Sequence, residues 1–477
     1  MDNLLILFPE MTLLSMACLV LVVDLFLPTS KKVFTYLLTQ ISLIATAVLC
    51  WLGVDQNPSV FQGQFVSDPF SQFLKVVMLG LLVFVLAYSR PYVRDRQIAR
   101  GEFHLLTLFS ALGMMILVSS QSLLLLYLGL ELLSLPLYAL VVLQRQSGVA
   151  AEAGLKYFVM GALASGLLLY GMSLVFGITH TLNLVEIASQ LGAFAGTDQF
   201  ILNVGLVFML AGVAFKLGAV PFHMWIPDVY QGAPTSVTLI IATAPKVAAF
   251  GMAFRIFAEG FVAYQPMWHD LMLGLAVASL AIGNIVAIAQ TNLKRMLGYS
   301  TIAHIGFVLF GFLSGSLAGY SASLFYIVSY AIVAAGAFGV ITILSDKGVE
   351  AENIADLRGL AVRSPWIAFL MLLILFSLAG VPPMIGFYAK LVILSALVKS
   401  GLLWLAVLAV VFSIIGAFYY LRVVKVMYFD APTELRPVRG GAEFRVMLSI
   451  NGLAVIGLGI LPAPLFVICQ TILGALA

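Results

Sequence analysis

Charge is what this sequence has least of. Only 9% of its 477 residues are Asp, Glu, Lys or Arg, 62% are hydrophobic, and the mean hydropathy is +1.11. A soluble globular domain carries roughly 25% charged residues, so this scarcity excludes one and points to the bilayer. The net charge is only +3, and no basic run is dense enough to read as a nucleic-acid surface. Cysteine is nearly absent. Cys18, Cys50 and Cys469 lie in apolar runs and none belongs to a CxxC pair, which argues against a disulfide framework, a zinc site or an iron–sulfur site. The five histidines show no helical metal-site spacing, and no Walker loop or dinucleotide fingerprint follows a strand. No metal, ATP, NAD or flavin site is therefore expected on this chain, and electron transfer must happen elsewhere. The amino terminus carries Asp2 and Glu10 rather than a basic stretch with a cleavage site, so its first apolar run reads as a retained helix.

What is present is apolar run after apolar run. A spanning helix needs about 20 such residues, and the chain supplies fourteen spans, at about 4–27, 34–54, 69–89, 103–119, 122–143, 152–178, 200–221, 235–257, 268–290, 297–314, 319–344, 366–398, 401–429 and 444–465. The twelfth is long enough to suggest a broken or strongly tilted helix. The fold class expected is all-α, polytopic and membrane-embedded. Arginine and lysine concentrate in alternate loops: Lys31 and Lys32; Arg90, Arg94, Arg96 and Arg100; Arg145; Lys294 and Arg295; Lys347, Arg358 and Arg363; and Arg422, Lys425, Arg436, Arg439 and Arg445. Only Arg255 and Lys399 sit near the other side. By the positive-inside rule both termini then lie outside the cytoplasm, the periplasmic side of a bacterial inner membrane.

Two segments look like matched interruptions. Phe215–Trp225 and Leu378–Lys390 each set a small residue, a valine and a proline beside an intramembrane lysine, Lys216 in one and Lys390 in the other. Proline removes a backbone donor and clashes with the preceding turn, so the helix must open, and freed carbonyls at membrane depth need protein or water to satisfy them. The two spans are five apart and run in opposite directions. That spacing suggests inverted five-helix units at roughly 103–258 and 268–430, against the plainer reading of two unrelated proline kinks. The corresponding organisation is three helices over 1–100, one repeat over 101–258, a second over 259–430, and a last helix over 431–477.

A charge near the bilayer centre costs at least about 2.5–3.5 kcal/mol, yet Glu131, Lys156, Lys216, Lys246 and Lys390 all fall within spans. Interhelix ion pairing, or snorkelling to an interface, is the structural reading, and snorkelling suits Lys156 and Lys75. For Glu131, Lys216, Lys246 and Lys390 the apolar flanks favour function. Desolvated lysines hold their proton less tightly, and a nearby carboxylate restores the grip. At about 7 Å and an effective dielectric of ~20 such a pair is worth roughly 2.4 kcal/mol, close to two pKa units. Glu131 and Lys216 are the candidate modulating pair, Lys246 the relay and Lys390 the terminal store. His304 can bridge donors and acceptors on span ten, or be a satisfied bundle histidine. His223, Asp228 and Tyr230 sit at a mouth after the first break, where His223 is a candidate for proton intake. His104, His180 and His269 read as solvated, and the tyrosines and phenylalanines as packing and interfacial anchors.

These residues lie in recognisable text. Gly129–Leu140, Pro221–Thr235 and Leu297–Gly306 resemble signatures of subunit N of bacterial proton-pumping NADH:quinone oxidoreductase, respiratory complex I, in the antiporter-like membrane subunit family, and the resemblance extends over nearly the whole chain. It implies fourteen helices with two inverted five-helix repeats, discontinuous helices seven and twelve, a regulated Glu131–Lys216 pair, Lys246 as central relay and Lys390 toward the exit. Lys156 matches a family lysine on helix six. The resemblance also implies that NAD, FMN, iron–sulfur clusters and quinone are held by partner subunits. The implied neighbours are subunit M, the small subunits K and J, and the lateral helix of subunit L. Subunit M is similar but carries glutamate where Lys390 stands, and subunit L extends well beyond helix fourteen. Ile226 departs from the threonine more usual there. The function expected is proton translocation in the membrane arm of that enzyme. The rivals are an autonomous cation/proton antiporter subunit, or a scaffold whose charges only pair helices.

Overall fold

The computed structural model describes residues 6–28, 31–53, 59–96, 98, 101–345, 350–432 and 441–476. Asp2, Arg100, Lys347, Arg436 and Arg439, used above in reading the termini and the charge bias, lie outside the described residues. The chain is a bundle of apolar helices, and its one strand pairing among the described residues is a short hairpin of Ser59–Val60 with Phe65–Val66. Among the described residues, thirteen helices are long and apolar enough to cross a membrane. They are spans one to eleven, thirteen and fourteen, and the twelfth crossing is made by two shorter helices, Pro365–Ala379 and Ile385–Lys399. The fourteen-span all-α architecture is as expected. A further apolar helix, Ala463–Gly474, follows span fourteen (Ala442–Ile460) and packs on span eleven.

Burial divides the spans into core and rim. Thr235–Gly260, Leu293–Leu313 and Leu317–Leu344, spans eight, ten and eleven, are buried nearly all round, whereas Phe8–Phe26 and Gly148–Thr179 keep most of their surface outward. A helix apolar on every face is buried in a large bundle or faces lipid, and both kinds are needed here. The two five-helix units repeat one contact. Gly113 on span four (Gly101–Val118) lies against the backbone of Leu132 and Leu133 on span five (Leu123–Val141), and Gly283 on span nine (Val262–Ala289) lies against that of Ala303 on span ten. A Cβ at either glycine would strike main chain, which is how small residues let membrane helices approach closely.

Both expected breaks are present, built alike. The first half of span seven, Gly196–Leu217, ends on Gly218 at φ +88°, and Ala219 N–H donates to the Ala214 carbonyl at 2.8 Å. The first half of span twelve, Pro365–Ala379, ends on Gly380 at φ +87°, and Val381 N–H donates to the Phe376 carbonyl at 2.9 Å. Each is a left-handed helix stop that suits glycine. Val220–Pro221 and Pro382–Pro383 are both cis. A serine steadies each break: Ser279 Oγ accepts from Val220 N–H at 2.9 Å, and Ser377 Oγ from Gly386 N–H at 3.0 Å. Span eight is interrupted as well, with helix Thr235–Ile241 separated from Ala244–Ala253 and then seven π-helical residues, Phe254–Gly260. Pro245, at the start of the second piece and next to Lys246, marks this third break in the sequence, although the reading of two matched interruptions passed over it.

Two readings of charged residues are corrected. Lys75 does not snorkel. It is fully buried and pairs with Glu10 of span one at 2.6 Å, because an ammonium that cannot reach water needs a counter-charge. His104 is buried, not solvated, with 8% of its surface exposed, since the start of span four is covered by the first two helices.

Candidate functional site

Each break leaves carbonyls without partners inside the bundle, and a lysine covers them. Lys246 Nζ, on span eight just past its interruption, donates to the Leu217 carbonyl at 2.8 Å. Lys390 Nζ, on the second half of span twelve, folds back to the carbonyls of Ala379 at 2.9 Å and Leu378 at 3.3 Å. Carbonyl oxygens at the C-terminal end of a helix carry partial negative charge and attract cations. Aromatic faces supply the rest: Lys246 lies 4.8 Å from the Trp225 ring and Lys390 5.4 Å from that of Phe307. Trp225 is fixed by its indole donating to the Phe215 carbonyl at 2.9 Å and by stacking 4.6 Å from Tyr157.

Lys216, in the last turn before the Gly218 stop, is buried. It makes no direct ion pair with Glu131; its amine donates to the Ser134 hydroxyl at 2.7 Å. Glu131 is half-buried on span five, less enclosed than its place in an apolar run suggests. The buried acids among the described residues are Glu10 and Asp68. Asp68 caps span three and receives the buried guanidinium of Arg255 at 2.6 Å. Glu131 lies three residues before Ser134, on the same helical face, and close enough for its charge to act on Lys216.

His304 sits at the centre of a tyrosine cluster. Its Nδ1 meets the Tyr326 hydroxyl at 2.7 Å and its Nε2 the Tyr420 hydroxyl at 3.2 Å. Tyr420 also bonds Ser300. Thr301 and Tyr330 share a hydrogen bond of 2.7 Å, and the Tyr330 ring lies 5.1 Å from that of His304. A small cavity with room for about one water is bounded by His304, Lys390, Asn284, Tyr419 and Tyr420. These tyrosines correct the reading of aromatics as packing and anchors alone. Their signal was the i, i+4 spacing of Tyr326 and Tyr330, and of Ser300 and His304 on span ten. Tyr230, buried and packed on Gly298 of span ten, is the side chain between the Lys246 region and this cluster.

Lys156 and Asp228 lie at a polar mouth on the arginine-rich face. Lys156 is half-exposed and pairs with Asp228 at 2.8 Å and Glu152 at 2.9 Å. Asp228 also receives Arg295 at 2.6 Å. Burial raises the proton affinity of the Asp228 carboxyl, but hydrogen bonds from Lys156 and Arg295 outweigh it and hold the group below the usual carboxylate range. Glu152, Lys156, Asp228, Gln231 and Arg295 line a surface pocket. His223 is half-buried beside the first break, its Nδ1 unpaired.

The interior thus holds Lys216 and Lys246 about the first break and His304 and Lys390 about the second, with Tyr230 between Trp225 and span ten. Broken helices with lysine-covered ends in paired units define an antiporter-like membrane protein. Residues 120–416 match the family described as NADH:quinone oxidoreductase/Mrp antiporter, TM, and the chain belongs to it. It is 54% identical over 455 residues to NADH-quinone oxidoreductase subunit N of Thioalkalivibrio sulfidiphilus, covering 95% of each chain. It is 52% identical over 468 residues to the subunit N of Thiobacillus denitrificans, covering 98% of this chain and 96% of that one. A chain in the structure of respiratory complex I from Thermus thermophilus with bound Aureothin is 31% identical with a TM-score of 0.82, over 96% of this chain and 98% of that one. The Mrp complex from Dietzia sp. DQ12-45-1b contains a chain of the same fold, with a TM-score of 0.86 at 22% identity, over 99% of this chain and 97% of that one.

Proposed function

We propose that this chain is a proton-translocating membrane-arm subunit of respiratory NADH:quinone oxidoreductase, in a bacterial inner membrane with both termini periplasmic. Protons enter from the arginine-rich face past Asp228, Lys156 and His223. They load Lys216 under the influence of Glu131, pass by way of Lys246 and His304, and leave from Lys390. The first repeat comprises 101–258 and the second 259–430, flanked by three helices over 1–100 and one over 431–477. The chain holds no redox group of its own. NAD, FMN, iron–sulfur clusters and quinone belong to partner subunits, and coupling arrives through neighbours equivalent to subunits M, K, J and the lateral helix of L.

One observation carries the reading: lysines from three different spans share the interior with a histidine, and two of them bond only to neutral carbonyls. A lysine without a counter-ion can exist there with or without its proton, which a pump requires and a structural ion pair does not. The test is Lys216→Ala in the purified complex reconstituted in liposomes. NADH oxidation, or protons moved per electron, should fall well below the wild type. Unchanged rate and stoichiometry in an assembled complex would overturn the assignment.

A further inference from the structure

A polar seam runs through the first four spans, apart from Lys216, Lys246 and Lys390. On span two (Val33–Leu52) the buried face is mostly polar, formed by Thr35, Thr39, Ser42, Thr46 and Cys50, while Phe34, Leu37, Ile41, Ile44 and Val48 point outward. At 1.5 Å rise per residue, Thr35 to Cys50 extends about 22 Å of the ~30 Å hydrocarbon core. Near the arginine-rich face Thr35 donates to Asp24 at 2.6 Å, and Gln40 donates to Tyr36 at 3.0 Å and to the Val83 carbonyl at 3.1 Å. Near the opposite face stands the Glu10–Lys75 pair, with Cys50 close enough for both charges to act on its thiol.

The seam is under-bonded. Gln40 Oε1, Gln72 Oε1, His104 Nδ1 and the second carboxylate oxygen of Glu10 are buried without hydrogen-bond partners, and such groups are usually satisfied by ordered water. Thr39, Ser42 and Thr46 donate to their own helix, as Thr39 to the Thr35 carbonyl and Thr46 to that of Ser42, both at 2.8 Å, leaving oxygen lone pairs facing inward. A hydrated seam of this length in a membrane that holds a proton gradient is a hazard, unless something excludes protons from it. A dry constriction does so in pores.

We propose that the seam is hydrated from the arginine-rich face as far as Thr46, and that the Glu10–Lys75 pair is the seal that keeps it from leaking protons. Glu10 and Lys75, bonded to each other and buried, fill the seam at no net charge, so they leave neither room for water nor an uncompensated charge to draw a hydronium in. No proton need be exchanged by either group in this role, which separates it from that of Lys216, Lys246 and Lys390.

The experiment uses the whole complex in sealed liposomes without NADH, with a trapped pH-sensitive dye reporting passive proton permeability. Replacing the pair by small polar residues, Glu10→Ser with Lys75→Ser, should raise the leak several-fold. Replacing it by apolar ones, Glu10→Met with Lys75→Met, should keep the membrane tight. Adding Thr46→Leu to the serine variant should close the leak again. Wild-type permeability in an assembled serine variant overturns the proposal. Should that variant fail to assemble, Thr39→Cys with the pair intact decides: a hydrophilic thiol reagent should modify the introduced thiol from the arginine-rich face and leave Cys50 untouched. An introduced thiol that resists the reagent also overturns the proposal.

Discussion

Lys390 reaches back across its own helix break to the carbonyl of Ala379, 2.9 Å away and eleven residues earlier in the chain. Lys246 does the same for Leu217 from a neighbouring span. The first five-helix unit thus covers its broken end with a lysine on a different helix, and the second with one on the same span. In both, the amine meets a dipole rather than a carboxylate, so its charge is stabilised without being locked in place.

Replacing Lys246 by arginine separates charge from proton exchange. The guanidinium can still cover the Leu217 carbonyl, but it cannot give up its proton. The Lys246→Arg complex should assemble, as seen by native electrophoresis, and lose most of its proton pumping. Lys246→Met should lose pumping too, and destabilise by about 1–3 kcal/mol through the orphaned carbonyl.

Gly218 and Gly380 sit at φ +88° and +87°. A Cβ on Gly380 would lie 3.1 Å from Lys390 Nζ, and one on Gly218 would lie 3.3 Å from Lys246 Nζ. Gly380→Ala should therefore cost roughly 1–2 kcal/mol for the left-handed backbone and also displace the amine. Thermal denaturation should report the first effect, and proton transport in assembled complex should fall by more than stability alone explains.

Tyr420 links Ser300 to His304 Nε2. Removing its hydroxyl in Tyr420→Phe should cost about 0.5–1.5 kcal/mol of stability and slow steady-state proton transport. The same change at Tyr419, whose hydroxyl bonds Asn284 at 3.2 Å rather than the histidine, should slow it less.

The Asp228 cluster gives a pH dependence of known sign. Its carboxyl lies below the usual range when folded. The stability it contributes is therefore present above the unfolded pKa of about 3.9 and disappears as pH falls through the lower folded value. Wild-type complex should lose thermal stability on acidification in that range, and Asp228→Asn should flatten this part of the profile. An identical acid profile in the variant would contradict the ion cluster's role.

Much of the fold was legible because membrane burial writes itself in long apolar runs, and proline beside lysine marks a break that the bilayer would otherwise forbid. The lysines were legible for the same reason: each is out of place in its helix. The partners were not. Ser134, Ser300 and the tyrosines around His304 are ordinary in apolar helices, and only packing of spans five with seven, or ten with eleven and thirteen, brings them to bear. Lys75 misled because its partner Glu10 lies far away in the chain, near the end of a different span, and near a span end snorkelling and pairing look alike in sequence. The interruption of span eight after Ile241 was legible too, because Pro245 stands beside Lys246 just past the backbone departure at Thr243, but it was passed over since it lacks a glycine stop like Gly218 or Gly380.

The central claim is that the buried amines exchange protons during turnover. The most direct measurement is protons moved per electron in liposomes containing Lys390→Met complex, beside the wild type, with NADH oxidation followed in the same vesicles. The account predicts a lower ratio at any surviving oxidation rate. A ratio and a rate both equal to the wild type would contradict it.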